Sequence, residues 1–126
     1  MPAAAPVKEQ TSRSDLDLIQ GVWVSVAGPR EARFLIAGRR FAFEFVGGAL
    51  YMGTLDLSAG QMDLHIEEGP EHAGLCTRCI YQVEGGVLRW CPGSPGSEKR
   101  PSKFHDVDDP RYLSLVFRRA PRAAKR

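Results

Sequence analysis

Phe41-Ala42-Phe43-Glu44-Phe45-Val46-Gly47-Gly48-Ala49-Leu50-Tyr51-Met52 holds one strand, a turn and the start of a second strand. Phe41, Phe43 and Phe45 alternate with Ala42 and Glu44, the period-2 pattern of a half-buried strand. Gly47-Gly48 reads as a two-residue hairpin turn, whose central positions take positive φ. Such a turn sets Phe45 opposite Leu50 and Phe43 opposite Met52, so that apolar groups share one face. Beyond Gly53 the apolar positions move to Leu55 and Leu57, which predicts a bulge at Gly53-Thr54.

The same alternation recurs on both sides. Downstream, Met62, Leu64 and Ile66 face inward from residues 61–67 while Asp63, His65 and Glu67 face water. Residues 76–84 hairpin through Gly85-Gly86 into residues 87–91. Pairing across that turn sets Val83 against Leu88 and Tyr81 against Trp90 inside, with Gln82 and Arg89 outside. Upstream, residues 32–37 and 40–46 flank a tight turn at Gly38-Arg39, and valine-rich residues 21–27 precede them. The final strand covers residues 112–118, with Leu113, Leu115 and Phe117 on one face. With the strand over residues 50–57, the total is eight strands and almost no helix beyond one turn over residues 15–20, capped by Ser14 or Asp15.

Eight sequential antiparallel strands predict an all-β fold: a single closed or nearly closed barrel whose first and last strands pair. Closure removes exposed sheet edges. Gly21 and Trp23 on the first strand, with Arg118 or Arg119 on the last, are the expected closure residues, the arginine stacking on the indole. The barrel domain spans residues 16–119, after a Pro/Ala-rich leader over residues 1–15 expected to be disordered, and before a basic tail over residues 120–126.

Composition narrows the function classes. The chain has 126 residues, 43% hydrophobic and 25% charged, with a net charge of +2. These are values of an ordinary globular domain. So small a charge argues against a nucleic-acid partner for the whole domain, and the basic residues of the tail read as a solubilising end. No run reaches the ~18 apolar residues of a membrane span. The first residues lack a basic head followed by an apolar stretch, so a cytoplasmic location is expected. Three cysteines without a secretory signal point to reduced thiols.

Cys76-Thr77-Arg78-Cys79 has the spacing of a zinc or redox pair, with Cys91 further on. On an extended strand, however, positions i and i+3 face opposite sides. His65 reads as a surface residue, His72 as a solvated loop residue, and His105-Asp106 with Asp108 and Asp109 as an acidic turn. Glu67, Glu68 and Glu71 lie in an exposed setting unsuited to acid catalysis. No nucleophile elbow or phosphate loop is present. Neither a catalytic residue, a metal ligand nor a cofactor is assigned.

Leu18-Ile19-Gln20-Gly21-Val22-Trp23 resembles the opening of an uncharacterised small-domain family abundant in planctomycete bacteria. Gly53-Thr54-Leu55, Ile80-Tyr81, Gly85-Gly86-Val87-Leu88, Cys91, Arg100-Pro101 with Phe104, and Arg118-Arg119 follow in that family's order. The resemblance covers residues 16–119. That family in turn resembles the lipocalin or calycin barrels, with their Gly-x-Trp first strand and last-strand Arg. The resemblance implies a barrel and ligand binding, and brings no catalytic residues. The Cys76/Cys79 pair and the missing signal peptide depart from the pattern.

The leading expectation is a non-catalytic, lipocalin-like barrel that binds a small apolar ligand inside or at its mouth. Phe41, Phe43, Phe45, Met52, Leu64, Tyr81 and Trp90 would line the site, and Phe104, the apolar anchor of the long connection, would tuck against the barrel or cover its mouth. Two alternatives stand beside it: an interaction module using the long connection and basic tail on a protein or nucleic acid, and a metal or redox site through Cys76 and Cys79.

Overall fold

A computed structural model describes residues 15–109 and 111–120. Among them are eight strands: β1 (Gly21–Ala27), β2 (Ala32–Ala37), β3 (Arg40–Phe45), β4 (Leu50–Ser58), β5 (Gln61–Glu68), β6 (Cys76–Glu84), β7 (Val87–Pro92) and β8 (Leu115–Arg119). Each pairs antiparallel with its chain neighbour, and β8 returns to β1, so the sheet is a closed barrel. The fold is therefore the one the alternation predicts. The expected leader and basic tail lie outside the described residues, apart from Asp15, which opens a helical turn, and Ala120.

The β6–β7 hairpin has the expected register, with Val83 opposite Leu88 and Tyr81 opposite Trp90. Gly85 and Gly86 take φ of 61° and 78°, as a turn whose strands keep their natural twist requires. The β3–β4 hairpin departs from expectation by one residue. Phe43 pairs with Tyr51 and Glu44 with Leu50, while the Phe45 N–H donates to Ala49 O at 2.9 Å. Val46 joins the turn: Gly48 N–H bonds Phe45 O at 2.8 Å, with Gly47 at φ 77° in the third turn position.

A one-residue slip exchanges the two faces of a strand. Tyr51 therefore shares the interior with Phe43 and Phe45. Met52 pairs with Ala42 on the outer wall, and Leu50 is exposed. In this register Tyr51, Gly53, Leu55 and Leu57 keep one phase, and β4 needs no bulge. The irregularity instead falls opposite, on β5, where Met52 faces Glu68 and Gly53 faces Ile66, leaving Glu67 as the extra residue. A Cβ on Gly53 would overlap the His65 carbonyl, so only glycine lets β4 approach β5 this closely.

One barrel end is sealed. Trp23 is fully buried, and its Nε1 donates to Ile19 O at 2.8 Å. The Arg119 guanidinium lies 4.5 Å over the indole ring. Its Nη1 donates to Gln20 O at 2.6 Å and its Nη2 to Leu18 O. Gly21, at φ 115°, leaves room for this side chain, since a Cβ there would stand 3.1 Å from Arg119 Nη1. Arg118 pairs with Val24 and is exposed, so Arg119 is the closing residue. Tyr81 also belongs to this end: its hydroxyl donates to Asp15 Oδ2 at 2.7 Å.

The interior above this plug is packed. Trp23, Phe34, Leu55, Met62, Leu88, Leu115 and Phe117 are essentially inaccessible. Phe34 meets Phe43, Trp90 and Phe117 at centroid distances of 5.0, 5.7 and 5.9 Å, tilted and edge-on contacts of the kind that aromatic quadrupoles favour.

Two outcomes follow from the sealed end. Arg119→Leu should lower stability by about 1–2 kcal/mol through loss of the stacking and carbonyl bonds, read as a lower urea midpoint at unchanged slope. Burial, reinforced by the Asp15 carboxylate, holds the Tyr81 hydroxyl protonated well above its ordinary value of 10.0. The folded state thus keeps a proton that the unfolded chain releases, so Tyr81 makes stability fall as pH rises above 10.0. Tyr81→Phe should flatten that alkaline decline in urea titrations; an unchanged slope would show that Tyr81 does not cause it.

Candidate functional site

The opposite end of the barrel is open. Here the β1–β2 loop, the β3–β4 turn, the β5–β6 loop and the long connection between β7 and β8 surround a cavity of about 300 Å³. Phe41, Phe43 and Phe45 from β3, Tyr51 from β4, Leu64 and Ile66 from β5, Thr77 from β6 and Trp90 from β7 line it. These residues meet because alternate positions of neighbouring strands project to the same side. Pro92, Gly93, Pro95 and Leu113 complete one wall, and Arg30, Glu71 and His72 add the charged and titratable groups.

The lining aromatics hold one another in place. Phe43 lies 4.8 Å from Trp90 and 5.1 Å from Phe45, and Phe45 lies 6.5 Å from Tyr51, nearly perpendicular. Arg30 spreads its guanidinium 3.8 Å above the Phe45 ring. His72 stacks on Tyr51 at 6.0 Å and sets Nε2 3.7 Å from Glu71 Oε1. His72 has φ of 71°, a left-handed conformation that costs a non-glycine residue free energy and concentrates at functional sites. The buried Trp90 N–H is turned to the Cys79 thiol and meets no oxygen or nitrogen acceptor among the described residues.

No family model, no curated protein and no solved structure matches the chain. Among the described residues no helix is long and apolar enough to cross a membrane, which says nothing of strands.

Of the residues singled out from sequence as a ligand lining, Phe41, Phe43, Phe45, Leu64 and Trp90 surround the cavity. The structure sets three apart. Met52 is on the outer wall because of the register slip. Tyr81 is at the sealed end. Phe104 packs beneath Arg89, whose guanidinium lies 4.3 Å from its ring, and so lies on the barrel exterior instead of over the mouth. Arg30, Tyr51, Thr77 and His72 were not foreseen. Tyr51 carried a usable signal, since its phase with Gly53, Leu55 and Leu57 needs no bulge.

The long connection is tied to the outer wall. Arg100 donates to Cys79 O at 2.8 Å, and its Nη2 lies 2.7 Å from Asp63 Oδ1. Asp63 also receives Arg78 at 3.2 Å. Gly93 N–H bonds Arg78 O at 2.7 Å. The acidic turn is a self-contained loop: Asp106 Oδ1 accepts the Asp108 N–H at 2.9 Å and Asp109 accepts Arg111, which holds its carboxyl down at about 2. His65 is outward and 2.9 Å from Asp56.

The three thiols are free. Strand alternation separates them: Cys79 faces the core beside the Trp90 indole, whereas Cys76 and Cys91 project from the outer face. Cys91 is nonetheless covered by the connection at His105 and Ser114. Among the described residues no three His, Cys, Asp or Glu side chains group to hold a metal ion. Burial raises all three thiol pKa values, that of Cys79 most strongly.

Since the thiolate is the reactive species, native protein at pH 8 should expose only Cys76 to a chromogenic disulfide reagent, and that slowly. All three should react at once in denaturant. Rapid native reaction of two thiols would contradict the burial of Cys79 and Cys91.

Proposed function

We propose that this protein is a non-catalytic, lipocalin-like binder of a small apolar molecule, which it holds in the open mouth of the barrel. The observation that carries this reading is the aromatic-lined cavity of about 300 Å³ at one end of an otherwise packed barrel. Its volume lies at the lower end of the range for small-molecule sites, and the combination of apolar walls with a few polar groups is their common chemistry. A barrel that only needed filling would be expected to close both ends as it closes the one at Trp23. The left-handed His72 at this end supports the same reading. Three free thiols agree with a reducing, cytoplasmic setting.

Titration with the neutral dye N-phenyl-1-naphthylamine tests the site. Saturable emission enhancement at one dye per chain, with quenching of Trp90, is expected. Leu113→Trp, which fills the cavity from the connection side, should weaken the dye at least about tenfold while leaving the urea midpoint near that of the parent. Emission that rises without saturation, or that ignores Leu113→Trp, would remove the mouth as the binding site.

A further inference from the structure

The polar edge of the cavity carries one arginine and one glutamate, in different settings. Glu71, the acidic residue there, stands beside His72 at 3.7 Å. Arg30, by contrast, forms no ion pair among the described residues. Its guanidinium is instead laid flat over Phe45 at 3.8 Å. Stacking of this kind occupies the face of the guanidinium and leaves its N–H edge free, the edge that grips a carboxylate through two parallel hydrogen bonds. The stack also restrains the long side chain before a ligand arrives, which reduces the ordering cost of binding.

Phe45 is at once the platform for Arg30 and part of the cavity wall. A ligand whose anionic group meets Arg30 therefore has its remaining atoms directed among Phe43, Phe45, Tyr51 and Trp90. Rings in that wall contact one another edge-on or tilted, and a flat ring inserted among them gains the same contacts. We propose that the ligand is a small aromatic carboxylate, its ring in the cavity and its carboxylate paired with Arg30. This rests on the reading of the mouth as a binding site and adds the chemical class of what binds there.

Calorimetric titration with 2-naphthoate and with the neutral, nearly isosteric 2-naphthamide separates the two levels. The carboxylate should bind at least about tenfold more tightly than the amide at low salt. Arg30→Gln, at an exposed loop position, should keep the parent's unfolding midpoint while bringing the two ligands to equal affinity. Equal binding of both ligands to the parent would overturn the carboxylate assignment and leave the apolar site standing. A carboxylate preference that survives Arg30→Gln would overturn the role of Arg30. Failure of both ligands to bind would overturn the site itself, and this proposal with it.

Discussion

The pairing of β1 with β8 is the constraint on which the rest of the molecule depends. Without it the sheet has two free edges and no enclosed interior. Trp23 opposite Arg119 is where the backbone ladder, the aromatic core and a cation meet. Arg119 reaches the carbonyls of Leu18 and Gln20, which precede the first strand, so a single side chain ties the segment before β1 to the end of β8. An arginine suits this place because it supplies several donors and a flat face at once. A lysine would provide the charge without the fork.

With one end sealed, the shape of the interior is settled by bulk. Phe34, Phe117, Met62 and Leu88 leave no accessible space in the lower barrel. Phe43 and Trp90, packed 4.8 Å apart above them, form a floor. What remains open is the upper end, where turns and loops of unequal length replace the regular ladder. The barrel therefore has a packed aromatic base beneath a recess whose edge carries the polar groups.

Much of this was legible in the amino-acid sequence, for physical reasons that can be traced to particular residues. Phe41, Phe43 and Phe45 announced their strand by alternation, and across Gly85-Gly86 the two-residue turn places Val83 against Leu88 and Tyr81 against Trp90. The β3–β4 turn was not legible in the same way. Two glycines there permit either a two-residue turn or a turn that also takes in Val46, and local pattern does not choose between them. The choice is made by tertiary pairing, where Gly53 must face the β5 backbone and Tyr51 must follow it inward. Arg30 and His72 were illegible for another reason: loops carry no periodicity, so nothing local indicates that two residues far apart in sequence stand over the same recess. Phe104 shows the converse limit, because an apolar residue in a long loop has two surfaces to choose from and Arg89 supplied the outer one.

The connection from β7 to β8 brings a consequence of its own. It supplies Gly93, Pro95 and Leu113 to the cavity, yet it is fastened to the barrel by Arg100 against Asp63 and Cys79 and by Gly93 against Arg78. These anchors lie on β5 and β6, apart from the seam that closes the cylinder. Of its cavity residues Pro95 lies between those anchors and Leu113 beyond them, both outside the strands, so each can change without disturbing a ladder bond. Part of the wall of the recess and the closure of the cylinder are therefore carried by separate parts of the chain.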